Sequence, residues 1–374
     1  MRVVIAKKLL SAVGGSEAQA RALAGALRRR GAEVTLVGLR PAWRRPGIPD
    51  TVYRAGPGSV RTELDGIPCV FVPARGGRLG AAIDGLLPTA LPDTARLAQA
   101  IAGAELVHSL AREWAAPLER LARAAGSAFV ETPLVHPGQA WSGDGARDVA
   151  RYRRADAVLA LTAWEAGWYR AHGVLQAYVT GVGPILGPLP ALTRDAATIL
   201  FVGRKERYKG YDALMAAAPL IWARRPQARF VAIGQPRFRA PRPPRDERWQ
   251  ERGVTTEEEK AAAYARATIF AMPSDHETFG HTYLEAWSAG LPVIAGDIPP
   301  LREIVREGVD GLHAENEPGS IARAILSLLD DPARARAMGA AGRERAREWS
   351  WERVAERTLE AYAKALLDSK TPRA

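Results

Sequence analysis

The stretch from Ile269 to Ala295 most constrains how this chain folds. Ile269–Met272 is short, apolar and rich in strand formers, and Pro273, Ser274 and Asp275 then break the pattern. From His281 the spacing turns helical, with Leu284 and Trp287 on one face, and Gly290 followed by Pro292 stops the helix. Val293–Ala295 is again short and apolar. A strand, a loop, a helix and a second strand make one unit of a parallel sheet, so the fold class is α/β. Such sheets bind ligands outside the carboxyl ends of their strands.

The loop and helix of this unit carry two glutamates, Glu277 and Glu285, with seven residues between them. Were the whole stretch helical, the pair would lie ~12 Å apart along one side. That is too far to share a proton as a catalytic dyad. The break before His281 puts Glu277 in the loop and Glu285 on the helix, where they grip different parts of one long ligand. Between them, the backbone N–H groups near Phe279, Gly280 and Thr282 open a helix and suit a phosphate. The local chemistry therefore calls for a ligand with hydroxyls at both ends and an anion in the middle. A sugar nucleotide fits that description.

ETFGHTYLEAWSAGLPVIAGDIPPLREIVREGVDGL resembles the E-x7-E signature of retaining GT-B glycosyltransferases, family 4 of the glycogen-synthase-like superfamily in particular. The match extends beyond the two glutamates to the flanking FG, EAWSAG and PVIAGDIPP. The resemblance implies two Rossmann-like domains with parallel sheets facing across a cleft. It covers nearly the whole chain, sharply in the second half and loosely in the first.

With 374 residues there is enough chain for two domains, and with 47% hydrophobic residues each can bury a core. The single cysteine, Cys69, excludes a disulfide framework and a cysteine metal cluster, which fits a reducing cytoplasm. No apolar run approaches the ~18 residues of a membrane span. Lys7 and Lys8 interrupt any signal-peptide core. The net charge of +11 leaves two readings open, a general arginine bias or peripheral contact with an anionic membrane face. No basic run is interleaved with aromatics as a nucleic-acid platform would require.

In the first half, Arg2–Ala6 reads as a strand, and Ser16 with Gln19 as a capping box at the start of a helix. Gly14 and Gly15 lie between them. They are either an ordinary tight turn or, by resemblance to the family's GGxE loop, a place where backbone approaches donor or acceptor. Further strands are expected at Glu33–Gly38, Ile67–Val72, Glu105–His108, Ala128–Glu131 and Ala157–Leu161. Arg40–Asp65 and Gly76–Asp93 read as loops, the first with a short hairpin. Glu131–Trp141 resembles the family's TP-x-x-HPG segment, which implies that His136 lies near the donor sugar. His108 is the rival histidine. Ala157–Gly173 reads as scaffold.

Thr180–Pro190 is dense in glycine and proline and reads as the hinge between an acceptor-side domain, 1–185, and a donor domain, 186–349. The final helix, within 350–374, is expected to cross back to the first domain, as GT-B proteins commonly arrange it. Gly183 stands where the family usually carries an aspartate. Thr198–Gly203 delivers Arg204 and Lys209 to the carboxyl end of a strand. The VGR-x4-KG pattern resembles the family's diphosphate clamp. Pro236–Gly253 reads as a basic loop, and Glu257–Arg266, Ser320–Leu329, Pro332–Trp349 and Trp351–Leu367 as helices.

By resemblance, Arg204 and Lys209 neutralise the donor diphosphate with help from Phe279 and Gly280, Glu277 holds the donor sugar and Glu285 the ribose. No resident cofactor is implied. Metal-dependent GT-A enzymes use a D-x-D motif, and none occurs here, so no metal is expected. The function expected is sugar transfer from a nucleotide-diphosphate sugar to a hydroxyl of a glycan, lipid or small molecule. The alternatives are a nucleotide-sugar epimerase on the same fold or a non-catalytic nucleotide-sugar-binding subunit. A hydrolase would need Ser288 on a strand-to-helix elbow, but a helix precedes it.

Overall fold

The computed structural model describes residues 1–11, 14–76, 91–110, 112–139, 142–237 and 241–369. Most of the expected loop at Gly76–Asp93, Trp141 of the motif segment, residues 238–240 of the basic loop and the chain's last residues lie outside that set. Two compact units emerge. Met1–Gly181 joins the segment from Trp351 onward, and Val182–Ser350 forms the other.

The first unit is built on β1 (Arg2–Ala6), β2 (Glu33–Leu39), β3 (Val60–Leu64), β4 (Ile67–Val72), β5 (Leu106–Ser109), β6 (Ala128–Glu131), β7 (Ala157–Ala160) and β8 (Ala177–Val179). They form one sheet in the order β3-β4-β2-β1-β5-β6-β7-β8. Every pair is parallel except β3 with β4, a hairpin closed by Asp65 and Gly66, both at positive φ. Side chains alternate across the sheet, so β1 sends Val3 and Ile5 into one core and Val4 and Ala6 into the other. Helices Gly15–Arg29 and Trp351–Asp368 cover the first face through Leu23, Leu27, Val354 and Tyr362. Helices Thr94–Ile101 and Arg112–Ala124 cover the second through Leu97, Trp114 and Leu118.

The second unit holds β9 (Thr198–Val202), β10 (Arg229–Ile233), β11 (Trp249–Arg252), β12 (Ile269–Met272), β13 (Val293–Gly296) and β14 (Gly311–Ala314). Their order is β11-β10-β9-β12-β13-β14, and all are parallel. Both faces are covered by helices, which is why β9 and β12 read as unbroken apolar runs. The chain builds outward from β9 to β11, then returns to place β12 on the other side of β9. The gap between β9 and β12 is therefore the switch point of the sheet, where open parallel sheets bind ligands.

Helix His281–Ser288 starts from the loop after β12 and is pinned by helix Pro332–Arg347. Trp287 is fully buried there and donates from its indole nitrogen to the Asp310 carbonyl at 2.9 Å. A Cβ at Gly342 would overlap the Trp287 ring, so only glycine lets the two helices close to this distance.

Several elements differ from the sequence-based expectation. The capping box at Ser16 and Gln19 does not form. The helix starts at Gly15, its N-cap Gly14 has no side chain to offer, and the Ser16 hydroxyl turns to Glu17. Trp249–Arg252 is a strand rather than part of a loop. Trp249 stacks on Phe230 at 5.1 Å between ring centres, and Glu251 takes bonds from Tyr211 and Trp249 and an ion pair from Lys205 at 2.5 Å. This cluster fastens an edge strand whose sequence is too polar to announce one. The short helix Asp50–Arg54 lies within the stretch expected to be loop, and β8, β14 and the short helix Pro299–Ile304 had no sequence-based expectation.

Candidate functional site

At the switch point, two loops carry the expected donor residues. After β9 the chain passes Arg204 and a 3-10 turn at Arg207–Lys209, then Gly210 at φ 77 opens helix Tyr211–Arg224. After β12 it passes Pro273 to Gly280. The loops are stitched together. The Asp275 N–H donates to the Tyr208 carbonyl at 2.7 Å, and the Ser274 hydroxyl donates to the same oxygen at 3.0 Å. A Cβ at Gly210 would sit 2.5 Å from the Pro273 carbonyl, and at positive φ this position calls for glycine twice over.

This stitching brings Lys209 and Glu277 into a direct ion pair although 68 positions separate them. Their side chains are 14% and 8% exposed. Arg204 is exposed, bonds the Tyr208 hydroxyl and lies 5.8 Å from the centre of that ring. The Lys209 ammonium lies 5.2 Å from the same ring. Tyr208 thus faces both cations, a placement for which the spacing of Arg204 and Lys209 gives no signal. Lys205, between them in sequence, points inward to Glu251 and is buried.

Gly280 caps helix His281–Ser288 at φ 86 with no side-chain cap bond. The helix start therefore presents backbone rather than side-chain groups. Phe279 leaves only its backbone to face a ligand, because its ring is buried edge-on against Trp349 at 4.8 Å. His281, the first helical residue, bonds the Gly183 carbonyl at 3.1 Å, and burial lowers its pKa to about 4. Ser288 lies within the helix and donates to the Leu284 carbonyl at 2.7 Å, so it is not placed as a nucleophile.

Glu285 sits one face along the same helix and is 3% exposed. Tyr264 donates to its Oε2 at 2.9 Å, and the Lys260 ammonium lies 3.2 Å from its Oε1. Burial raises its pKa to about 7, against the lowering pull of Lys260 and Tyr264. Neither partner had been singled out, although Lys260 and Tyr264 stand four apart on helix Glu257–Arg266 and so share a face.

In the first unit, Gly14 is the N-cap of the first helix at φ 122, and a Cβ there would run into the Glu17 carboxylate. Gly15 is the first helical residue. His136 is half-buried in the loop after β6. That loop is held from several sides. Leu134 is forced to φ 58, a left-handed backbone rare for a branched residue. The Val135 N–H donates to buried Glu165 at 3.3 Å, and the Gly138 N–H donates to Asp144 at 2.9 Å. At the loop's root Arg151 grips Glu131 with two bonds, 2.9 and 3.0 Å. Glu165 lies in the segment read as scaffold, and its carboxylate also takes bonds from Leu161 and Tyr169. His108 differs from His136. It is sealed in the core, with ring nitrogens 2.7 Å from the Tyr362 and Thr132 hydroxyls, and burial lowers its pKa to about 3.

Residues 14–183 match the family described as glycosyl transferase 4-like domain, and residues 190–345 match glycosyl transferases group 1. The chain is 35% identical over 204 residues to the D-inositol 3-phosphate glycosyltransferase of Kineococcus radiotolerans, across 48% of this chain and 47% of that protein. It spans about half the length of the curated relatives it matches. Among solved structures, sucrose-phosphate synthase from Thermosynechococcus elongatus superposes with a TM-score of 0.75 at 19% identity, over 97% of this chain and 98% of that one. Anabaena HepE, solved in complex with UDP-glucose, also reaches 0.75, at 16% identity over 97% and 99%. At such identities the likeness establishes the GT-B fold.

Proposed function

We propose that this chain, which belongs to the group 1 and 4-like glycosyltransferases of the GT-B fold, moves a sugar from a nucleotide-diphosphate sugar to an acceptor hydroxyl with retention at the anomeric carbon. The observation that carries the reading is the contact between Lys209 and Glu277 at the switch point. One loop brings a cation suited to a diphosphate, the other a carboxylate suited to sugar hydroxyls, and a sugar diphosphate has both groups side by side. The name of the Kineococcus relative and the UDP-glucose bound in HepE support a nucleotide sugar as donor class.

In this reading the bond between the anomeric carbon and the diphosphate oxygen breaks, and its electron pair stays on the diphosphate. The acceptor oxygen forms the new bond on the same face and passes its proton to the leaving phosphate. Arg204 and Lys209 meet charge that grows as the bond breaks, so their contacts strengthen in the transition state and lower the barrier. Glu277 holds donor-sugar hydroxyls and Glu285 the ribose. The two cationic side chains support a reaction with no metal and no resident cofactor. A cytoplasmic location with peripheral contact to an anionic membrane face is part of the same reading, supported by the net charge of +11 and by the lack, among the described residues, of a helix able to cross a membrane.

The test is release of nucleoside diphosphate from UDP-, GDP- and ADP-sugars, with and without a panel of polyol, phosphopolyol and lipid acceptors, in excess EDTA. Acceptor-dependent release that survives EDTA is expected. Loss of activity restored by Mg²⁺ or Mn²⁺ overturns the cationic clamp, and epimerised donor without acceptor overturns transfer.

A further inference from the structure

The buried Glu285 carboxylate is served from one neighbouring helix. A carboxylate has about four lone-pair sites. Lys260 takes one on Oε1 and Tyr264 one on Oε2, which leaves each oxygen able to accept once more. Two such acceptors suit the two adjacent hydroxyls of a ribose. Lys260 itself has nothing left to give a ligand. An ammonium has three donors, and they are directed to Glu285 at 3.2 Å, Glu257 at 2.8 Å and the Ile185 carbonyl at 3.0 Å.

We propose that Lys260 is a positioning residue for the nucleotide: it keeps the Glu285 carboxylate ionised and aimed at the ribose, and ties it to the backbone at Ile185. This rests on the reading of Glu285 as the ribose contact. The physical reason is that a carboxylate accepts from a hydroxyl with charge assistance, whereas a carboxylic acid must itself spend one oxygen as a donor. Burial already raises Glu285 to about 7, and Lys260 is the largest opposing influence. Lys260 in turn is held above its ordinary value; burial pulls it down, and the carboxylates of Glu285 and Glu257 outweigh that. The titratable groups facing the carboxylate are Lys260, Tyr264 and Glu257, all from helix Glu257–Arg266. On Glu285's own helix, His281 senses Lys260 and, from the adjoining loops, Glu277 and Lys209.

The experiment titrates UDP, GDP and ADP by calorimetry from pH 6 to 9, with pyrophosphate as a ribose-free probe. The wild-type protein is compared with Lys260→Met, Lys260→Arg and Glu285→Ala. In the wild type, nucleotide affinity should fall as pH drops through the neutral range. In Lys260→Met that fall should move up by at least about one pH unit, so affinity at pH 7 drops at least about fivefold and recovers towards pH 9. Pyrophosphate should change by less than about threefold, and Lys260→Arg should keep the wild-type profile. If Lys260→Met does not fold, Lys260→Gln drops the charge but keeps a donor for Ile185 and serves the same comparison. A wild-type pH profile in the uncharged variant overturns the role of Lys260, as does an equal, pH-independent loss for nucleotide and pyrophosphate. Unchanged nucleotide affinity in Glu285→Ala overturns the ribose assignment itself, which separates the two failures.

Discussion

Replacing Lys209 with Met removes a cation that is 14% exposed and strands the Glu277 carboxylate, 8% exposed, in the loop after β12. Breaking a fully buried pair from one side costs about 3–5 kcal/mol. Both groups keep some water here, so a loss of about 2 kcal/mol in folding stability is expected. The effect on ligand is separate. A charge-assisted hydrogen bond to the diphosphate is worth about 1.5–3 kcal/mol, or roughly ten- to 150-fold in affinity. The stranded Glu277 charge adds repulsion on top. Glu277→Gln acts in the opposite sense. It frees Lys209, so nucleoside diphosphate should bind at least as tightly as to the wild type, while turnover falls on the order of 10²-fold because a contact to the sugar is lost. The double variant Lys209→Met/Glu277→Gln should therefore bind nucleoside diphosphate more tightly than Lys209→Met alone. Calorimetric titration with UDP, GDP and ADP, together with guanidinium unfolding of all four proteins, reads both effects. If Glu277→Gln weakens the nucleotide as much as Lys209→Met does, Glu277 is not a competitor for that ammonium, and the donor is oriented the other way.

Two further outcomes follow from buried groups of the first unit. His108 has its pKa lowered by burial to about 3 from an ordinary value of 6.5, so between those values the unfolded chain binds a proton that the folded chain refuses. Stability is lost as pH falls through that window, by about 1.6 kcal/mol from pH 6.5 to 5. His108→Gln should show a smaller drop in urea midpoint between pH 7 and 5, and an equal drop would refute a neutral, sealed imidazole. Glu165→Gln turns an amide nitrogen towards one of three donors, the Val135 N–H, the Leu161 N–H or the Tyr169 hydroxyl. It should destabilise by about 1–3 kcal/mol and speed amide exchange at Val135 and His136, and unchanged exchange there would show that Glu165 does not hold the loop.

What could be read from the sequence was whatever has a local period. β12, helix His281–Ser288 and β13 are legible because apolar runs, a helical stripe and a Gly–Pro stop follow one another without ambiguity. Glu277 and Glu285 fall on loop and helix for the same reason. β11 was not legible, since Glu251 and Arg252 pair along β10 only because Lys205, Tyr211 and Trp249 converge on Glu251 from elsewhere in the chain. The Ser16 box failed because glycine at 14 and 15 lets the helix begin ahead of it. The β3–β4 hairpin carried a usable mark, Asp65–Gly66 at two residues' length, within a stretch otherwise dominated by proline and glycine. Lys260 is the instructive case. An i,i+4 pair with Tyr264 looks like one face of a surface helix, and only the sheet order turns that face towards Glu285.

The distribution of charge at the switch point limits how a diphosphate is received there. A net charge of +11 invites the view that the ligand is drawn into a surplus of cations. The local arrangement is different. Lys205 is paired with Glu251, Lys209 with Glu277 and Lys260 with Glu285, so three of the ammonium groups at this end of the sheet are balanced by the chain's own carboxylates. Arg204 is exposed, with a tyrosine rather than a carboxylate as its bonded partner. In the proposed binding mode an arriving diphosphate meets Arg204 first. It must then draw Lys209 away from Glu277, which leaves that carboxylate unpaired beside an anion unless the sugar's hydroxyls take it over. Nucleotide without sugar leaves that exchange incomplete, whereas the intact donor completes it. In that binding mode the pair would favour a ligand with hydroxyls next to its phosphates over free nucleotide, a preference that a plain excess of positive charge would not produce.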